Sequence, residues 1–324
     1  MRLRYRPLEP QDIPICLQLS KERARYGGLF DQLAPIWAEL IRCESLIGAV
    51  VEDLDCPKRE WVVAFGVSVF LTDAFVQYAK TPPLFWIGPE LIRRFHQGCS
   101  PILNFKAIQK ANSGGGLNLF IWQAAARQAS GDDLHALSYE LNRGVIELHR
   151  GYLIQEVLAQ EASDEEVRHA VKAGGYWLNP STGNYEDLPE APEGKMTNRP
   201  FIVGITREMA VRNPGSWFAS MLFHRTPPRI YFRPGEQRQL KAALAGGTDE
   251  ELAERLDVSI HAVKKCWISI YQRVTERLPE LFPENLDHVS ARGARGTEKK
   301  HRLLSYLRDH PEELRPILPN GGKG

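Results

Sequence analysis

Residues 232–274 constrain this chain most, because their caps and apolar spacing admit three short helices joined by tight turns. Pro234 stands just inside a helix start, and Glu236, Leu240, Ala243 and Leu244 recur at helical spacing until Gly246-Gly247 stops the run. Thr248 supplies the next N-cap, with Glu251 three residues on as its capping-box partner, and Leu252, Ala253 and Leu256 make a small apolar stripe. After Asp257-Val258, Ser259 caps a third helix in which Val263, Trp267, Ile270 and Val274 repeat at i, i+4, i+7 and i+11. The other face of that helix offers His261, Lys264, Lys265, Ser269 and Gln272, groups suited to phosphates and purine edges.

In these residues the segment resembles the LuxR-type (FixJ/NarL-type) helix-turn-helix of bacterial transcription regulators. Arg233-Pro234-Gly235-Glu236 keeps part of the family's opening Thr-x-x-Glu. Gly246 to Ser259, GGTDEELAERLDVS, follows Gly-x-Ser/Thr-x-x-Glu-Ile-Ala-x-x-Leu-x-Ile-Ser without a gap, and the family's Thr-Val-Lys corresponds to Ala262-Val263-Lys264. Over about 43 of 324 residues, the resemblance implies sequence-specific binding to double-stranded DNA. The residues expected at that interface are Thr248, Ser259, His261, Lys264, Lys265, Ser269, Gln272 and Arg273. It also implies a homodimer on paired half-sites. Ala262, Cys266 and Trp267 depart from the family pattern.

Composition is that of a soluble globular protein of about two domains, with 43% hydrophobic and 25% charged residues. The 41 Lys and Arg balance 40 Asp and Glu, so whole-chain charge lends nucleic-acid binding no support. From Arg225 onward, 18 basic residues face 14 acidic ones, a modest excess on the side of the helical segment. Five cysteines without a CxxC pair fit a reduced cytoplasm. Met1 to Pro14 lacks the pattern of a signal peptide, and the most apolar run, Trp61 to Leu71, has 11 residues, short of a bilayer span.

The first two thirds read as one mixed α/β domain. Strands are expected at Arg2–Pro7, Leu46–Leu54, Trp61–Phe70, Gly116–Trp122 and Phe201–Ile205, the second and third forming a hairpin. Helices are expected after Pro10, at Ala34–Ile41, Gly88–Phe95, Asn104–Ala111 and Asp164–Val171, with a longer helical region at Leu134–Leu158 broken near Gly151. Beyond Gly174 the chain reads as irregular surface structure to Asn198, and Pro227-Pro228 marks a linker.

The opening Arg4 to Asp12, a strand followed by a helix, together with Val62 to Leu71, resembles the first elements of GNAT-type acetyltransferases. Such enzymes cradle an acyl-CoA pyrophosphate on backbone N–H groups of Gln/Arg-x-x-Gly-x-Gly/Ala at a strand-to-helix turn. The nearest match to that signature, Gln109 to Gly114, carries Asn112 in the first glycine position and has a helix before it and a strand after. The expectation is therefore a degenerate GNAT-like sensor or partner-binding domain without catalysis.

Other features read blandly. Gly114-Gly115-Gly116 is a flexible turn, since no Gly-Lys-Ser/Thr follows. His135 and His149, with Glu140 and Glu147, lack the HExxH spacing of a metal site, so no metal is expected. His149-Arg150-Gly151-Tyr152 reads as a helix end, the sharper alternative being a basic pocket for an anionic effector. Trp61, Trp86, Trp122, Trp177 and Trp217 read as core or lid residues. In the tail, Thr297 caps a last helix with Leu303, Leu304 and Leu307 as its apolar stripe. There Arg292, Arg295, Lys299, Lys300 and Arg302 either track phosphates or form a solvated face, and Leu303 and Leu307 are alternative dimer-seam residues.

The expectation drawn from sequence is an α+β chain. A mixed α/β domain covers 1–200, a linker region 201–230, a LuxR-type helix-turn-helix 231–276 and an extension with one helix 277–324. Its function would be that of a cytoplasmic, non-enzymatic transcription regulator without a cofactor. The partners would be double-stranded DNA, a second copy of the chain, and an effector or protein at the N-terminal domain, with no membrane. The alternatives are an acyl-CoA-dependent transferase with an accessory helical domain and a protein-protein adaptor.

Overall fold

The computed structural model describes residues 1–172, 175–178, 185–186, 200–212, 221–282 and 292–318. They divide into two compact units, one of residues 1–149 and 153–224, the other of residues 150–152 and 225–324. The stretch expected to be irregular up to Asn198 falls mostly outside the described residues, but Tyr176–Leu178 and Tyr185–Glu186 within it are strands, against that expectation. Trp217 and the side chains of Arg292, Arg295 and Thr297 also lie outside the described residues.

The first unit is built on an eight-stranded sheet. Its strands are β1 (Leu3–Pro7), β2 (Leu46–Asp53), β3 (Val62–Leu71), β4 (Leu117–Ala126), β5 (Ile154–Glu161), β6 (Tyr176–Leu178), β7 (Tyr185–Glu186) and β8 (Phe201–Thr206). They stand in the order β1-β2-β3-β4-β5-β8-β6-β7. Pairing is antiparallel except between β4 and β5, which run parallel. A parallel pair needs a crossover, and α7 (Gly131–His149) supplies it. The expected hairpin of β2 and β3 is present.

Two further expectations are corrected here. The helical region at Leu134–Leu158 ends at His149, and Ile154 onward is strand β5. Gly151 at φ +92° turns the chain between them, and Ile154, Val157 and Leu158 stand at i, i+3 and i+4, a spacing that reads as helix although the segment is a strand. Phe201–Thr206, assigned above to the linker region, pairs with β5 on one side and β6 on the other, inside the sheet.

This unit also holds α8 (Asp164–Lys172), close to the helix expected there, and α9 (Arg207–Arg212). Helices cover both faces. On one, α1 (Ile13–Leu19), α3 (Leu33–Arg42), α4 (Asp73–Lys80) and α5 (Ile87–His96) bury Ile13, Trp37, Phe75 and Leu91 against Val50, Phe65, Val67 and Phe120. Each such side chain contributes about 1.5–3 kcal/mol of burial free energy. On the other face α7 lies across β1, β2 and β3, with Leu137 against Val51, Val63 and Ala64. Gly144 lets α7 approach closely, since a Cβ there would lie 3.1 Å from the Tyr5 ring and 3.2 Å from Ala49 Cβ.

The second unit is helical among its described residues: α10 (Pro234–Leu244), α11 (Asp249–Leu256), α12 (Ile260–Arg277) and α13 (Arg292–Asp309). The expected caps form, with Thr248 accepting from Glu251 N and Ser259 from Ala262 N. Leu240, Leu252, Val263, Trp267, Ile270 and Val274 join Leu303 and Leu307 in one core. Leu303 and Leu307 are thus buried within their own chain rather than offered to a dimer seam.

Candidate active site

The parallel pair is the irregularity that matters. β4 meets β5 only from Leu117↔Ile154 to Phe120↔Leu158, after which β4 stays with β3 and β5 with β8. The two strands therefore part beyond Phe120, leaving a cleft at their carboxyl ends, the usual position for ligands in sheets with parallel strands. A register shift between Ser68↔Ile121 and Val67↔Gln123 bulges β4 at Trp122, where the cleft begins.

Buried polar groups collect there. Trp122 Nε1 donates to Tyr26 Oη at 3.0 Å, on α2 (Arg23–Tyr26). Gly88, in the first turn of α5, makes room for this pair, because any Cβ at 88 would collide with the Tyr26 hydroxyl. Burial, the largest cause, pushes the Tyr26 phenol well above its ordinary range, so it stays protonated. Gln123 is 2% exposed and lies against the same hydroxyl, yet neither its Nε2 nor its Oε1 closes a hydrogen bond of acceptable geometry. An unsatisfied buried amide costs about 1–3 kcal/mol and calls for a partner.

Carboxylates gather at the same end of the sheet. Burial and the neighbouring Glu166 push the Glu161 carboxyl, the last residue of β5, up to about 7, with Glu22 adding to the effect and Arg25 opposing it. Glu22 is raised as well, again by burial first. Arg25 bonds Glu22 at 2.9 Å and lies 4.0 Å above the Trp86 ring. Gln160 fixes α5 against β5 by accepting from Ile87 N at 2.6 Å and donating to the Phe85 carbonyl at 2.8 Å. Three carboxylates against one arginine suit a cationic group, and a carboxyl poised near neutrality can take a proton from it.

Sequence reasoning missed this site, since Glu22 and Glu161 stand in no motif and meet only because α2 folds over the end of β5. It also misplaced the phosphate turn. Gln109 to Gly114 ends α6 (Phe105–Asn112) on the approach to β4. The strand-to-helix turn that follows β4 is instead Arg127 to Gly131, where Gln128-Ala129-Ser130-Gly131 keeps the spacing of glutamine to first glycine, and Asp133 takes the place of the second. A diphosphate fits poorly there. Asp132 and Asp133 occupy the first turn of α7, and Arg127 is engaged by Asp53 at 2.7 Å.

The residues expected to meet DNA divide. His261, Lys264, Lys265 and Gln272 are exposed on α12, Gln272 bonding Glu276 at 3.0 Å. Thr248 and Ser259 serve as helix caps. Ser269 and Arg273 turn inward to the buried Glu236, at 2.8 and 2.7 Å, and so do not point outward as expected. In the tail, Lys300 bonds Asp249 at 3.0 Å and Arg302 bonds Glu298 at 2.9 Å. Arg150, expected in an effector pocket, pairs with Glu312 at 3.0 Å. His149 is buried against Ser68, while among the described residues no three His, Cys, Asp or Glu side chains gather as a metal set. No described helix is long and apolar enough to cross a membrane.

No family model matches the chain, and no curated protein matches it. Solved structures that resemble it include the C-terminal condensation domain of Ebony in complex with beta-alanyl-dopamine, at 12% identity over 64% of this chain and 99% of that one, TM-score 0.35. A spermidine N-acetyltransferase SpeG chimera from Vibrio cholerae and hSSAT matches at 14% identity over 65% and 99%, TM-score 0.35. The acetyltransferase described as histone acetyltransferase HPA2 and related, from Corynebacterium glutamicum, matches at 10% identity over 64% and 97%, TM-score 0.34. Likeness at this level carries neither residue roles nor a substrate. These neighbours are nonetheless acetyltransferases and a condensation domain, not DNA-binding regulators, and against them the expectations of a non-enzymatic protein and of a DNA-binding transcription regulator are withdrawn.

Proposed function

We propose that the first unit is an N-acyltransferase that moves an acyl group from a thioester such as acyl-CoA to a primary amine. The observation that carries this reading is Glu161, a carboxyl poised at about 7 where the parallel strands part. Glu22, Glu161 and Glu166 draw in the ammonium, and the Glu161 carboxylate takes one of its protons. The freed nitrogen lone pair attacks the thioester carbonyl carbon, the C–N bond forms, and the C–S bond breaks with its electron pair passing to sulfur. The second N–H proton ends on that sulfur, which leaves as a thiol. Gln123, with both amide atoms unsatisfied, is placed to bind the acyl carbonyl. The β5-facing edge of β4 beyond Phe120 is released from the ladder and offers backbone groups to the amides of the donor's arm, as an added strand would.

The diphosphate end of acyl-CoA would meet Asp132 and Asp133, so the donor is held through its arm rather than its phosphates. The test is thiol release from acetyl-CoA in the presence of a panel of primary amines, with wild type and Glu161→Gln. Amine-dependent release that falls about 100-fold or more in the folded variant supports the assignment. Release no faster than the spontaneous reaction with every amine, or full activity in the variant, would sink it.

A further inference from the structure

A second cavity lies on the opposite face of the sheet, under α7, and the proposed acyl transfer makes no use of it. Its volume is about 200 Å³. The strand register explains why it exists. Ala49, Gly66 and Ala124 pair side by side across β2, β3 and β4, a row of minimal side chains, and Ile47, Ser68 and Ile121 form the next row on the same face. Leu141, Val145 and Leu148 of α7 roof both rows. A Cβ placed on Gly66 would already be in contact with Leu141 and Val145, 3.5 and 3.8 Å away, so a side chain larger than a methyl there would intrude on the space under α7.

Among mostly apolar walls, which also include Asn142, lies one buried polar pair. Ser68 Oγ lies 2.8 Å from His149 Nε2, both groups buried. His149 Nδ1 lies 2.7 Å from the Val145 carbonyl, which only accepts, so that nitrogen carries a proton. The single Ser68 proton has two acceptors in reach, His149 Nε2 at 2.8 Å when the ring is neutral and the Ile47 carbonyl at 3.2 Å, and whichever takes it an Oγ lone pair is left to accept a further hydrogen bond. An apolar cavity of about 150 Å³ suffices for benzene. This one is somewhat larger and holds the Ser68 hydroxyl in its lining, with Asn142 as a further polar residue there. Ala124 is exposed, which gives the cavity an opening to solvent.

We propose that this cavity binds a small apolar molecule bearing one hydroxyl, a phenol being the closest chemical match, with the ligand O–H donating to Ser68 Oγ. The site is independent of Glu161, so the two assignments stand or fall separately. The probes are p-cresol and toluene, which differ by the hydroxyl, titrated calorimetrically into the full chain. Wild type is expected to bind p-cresol at least about tenfold more tightly than toluene. Ser68→Ala should bring the two within about twofold of each other. Gly66→Val, filling the space above β3, should abolish binding of both while thermal melting shows a folded protein. Equal affinity for the two probes in wild type, p-cresol binding that persists in a folded Gly66→Val, or no binding of either probe would overturn the proposal.

Discussion

At the scale of the residue, Glu161 joins two effects that pull apart. A carboxyl whose folded-state value is about 7 against 4.5 in a free chain favours the protonated form, so its contribution to stability is full below pH 4.5 and is lost as pH rises through 7. Catalysis needs the opposite form. The rate of acyl transfer should therefore rise with pH through an inflection near 7, and Glu161→Gln should abolish that inflection. The same substitution should raise stability at pH 8 by about 1–3 kcal/mol, measured by urea unfolding. A variant that loses both activity and stability would mark Glu161 as merely structural. Neither Glu22 nor Glu161 could be singled out in the sequence, because each owes its raised value first to burial, which only the folded chain decides. Thr248, Glu251 and Ser259 were legible for the converse reason, since a cap is decided within four residues.

Among elements, α7 decides how the chain meets an acyl donor. Its first turn carries Asp132 and Asp133, both exposed, at the positive end of the helix dipole. Replacing both with Asn should strengthen acetyl-CoA binding about 3- to 10-fold at low salt, an effect that shrinks as salt is added; weaker or unchanged binding would place the diphosphate elsewhere. In the second unit, Glu236 ties α10 to α12. Its side chain accepts from Arg233 N, Ser269 and Arg273, and is 4% exposed. Glu236→Ala should cost about 3–5 kcal/mol, because it strands Arg273, and chemical denaturation would register a loss of under 1 kcal/mol as a refutation. The spacing of α12 placed Val263, Trp267, Ile270 and Val274 on its inner face correctly. Ser269 and Arg273 were taken for outward groups because helical spacing does not reveal that a buried carboxylate waits on the neighbouring helix.

Over the whole molecule, each unit owns an apolar core, one around Trp37, Phe65 and Phe120, the other around Leu240, Trp267 and Ile270. Truncating one core should be felt first in that unit. Leu240→Ala is expected to cost about 2–5 kcal/mol in the second unit, with hydrogen exchange accelerated in residues 234–277 and little changed in β3 and β4. Uniform acceleration along the chain would contradict that separation.

The sequence by itself determined the local elements of both units. The caps and heptad-like spacing of residues 232–274, the β2–β3 hairpin and the helices α1, α3, α5 and α6 follow from short-range rules, and the structure carries them with shifts of a residue or two, whereas α2 and α4 were not read from the sequence. It also suggested a DNA-binding role that the comparisons do not support, because a helix-turn-helix pattern specifies packing before it specifies a partner. The tertiary structure alone decided that Ile154 begins a strand, that Phe201–Thr206 enters the sheet, that β4 and β5 part beyond Phe120, and that Ala49, Gly66 and Ala124 fall in one row. Those outcomes depend on strand register and crossover, which set side chains from distant segments together through interactions no window of neighbouring residues contains.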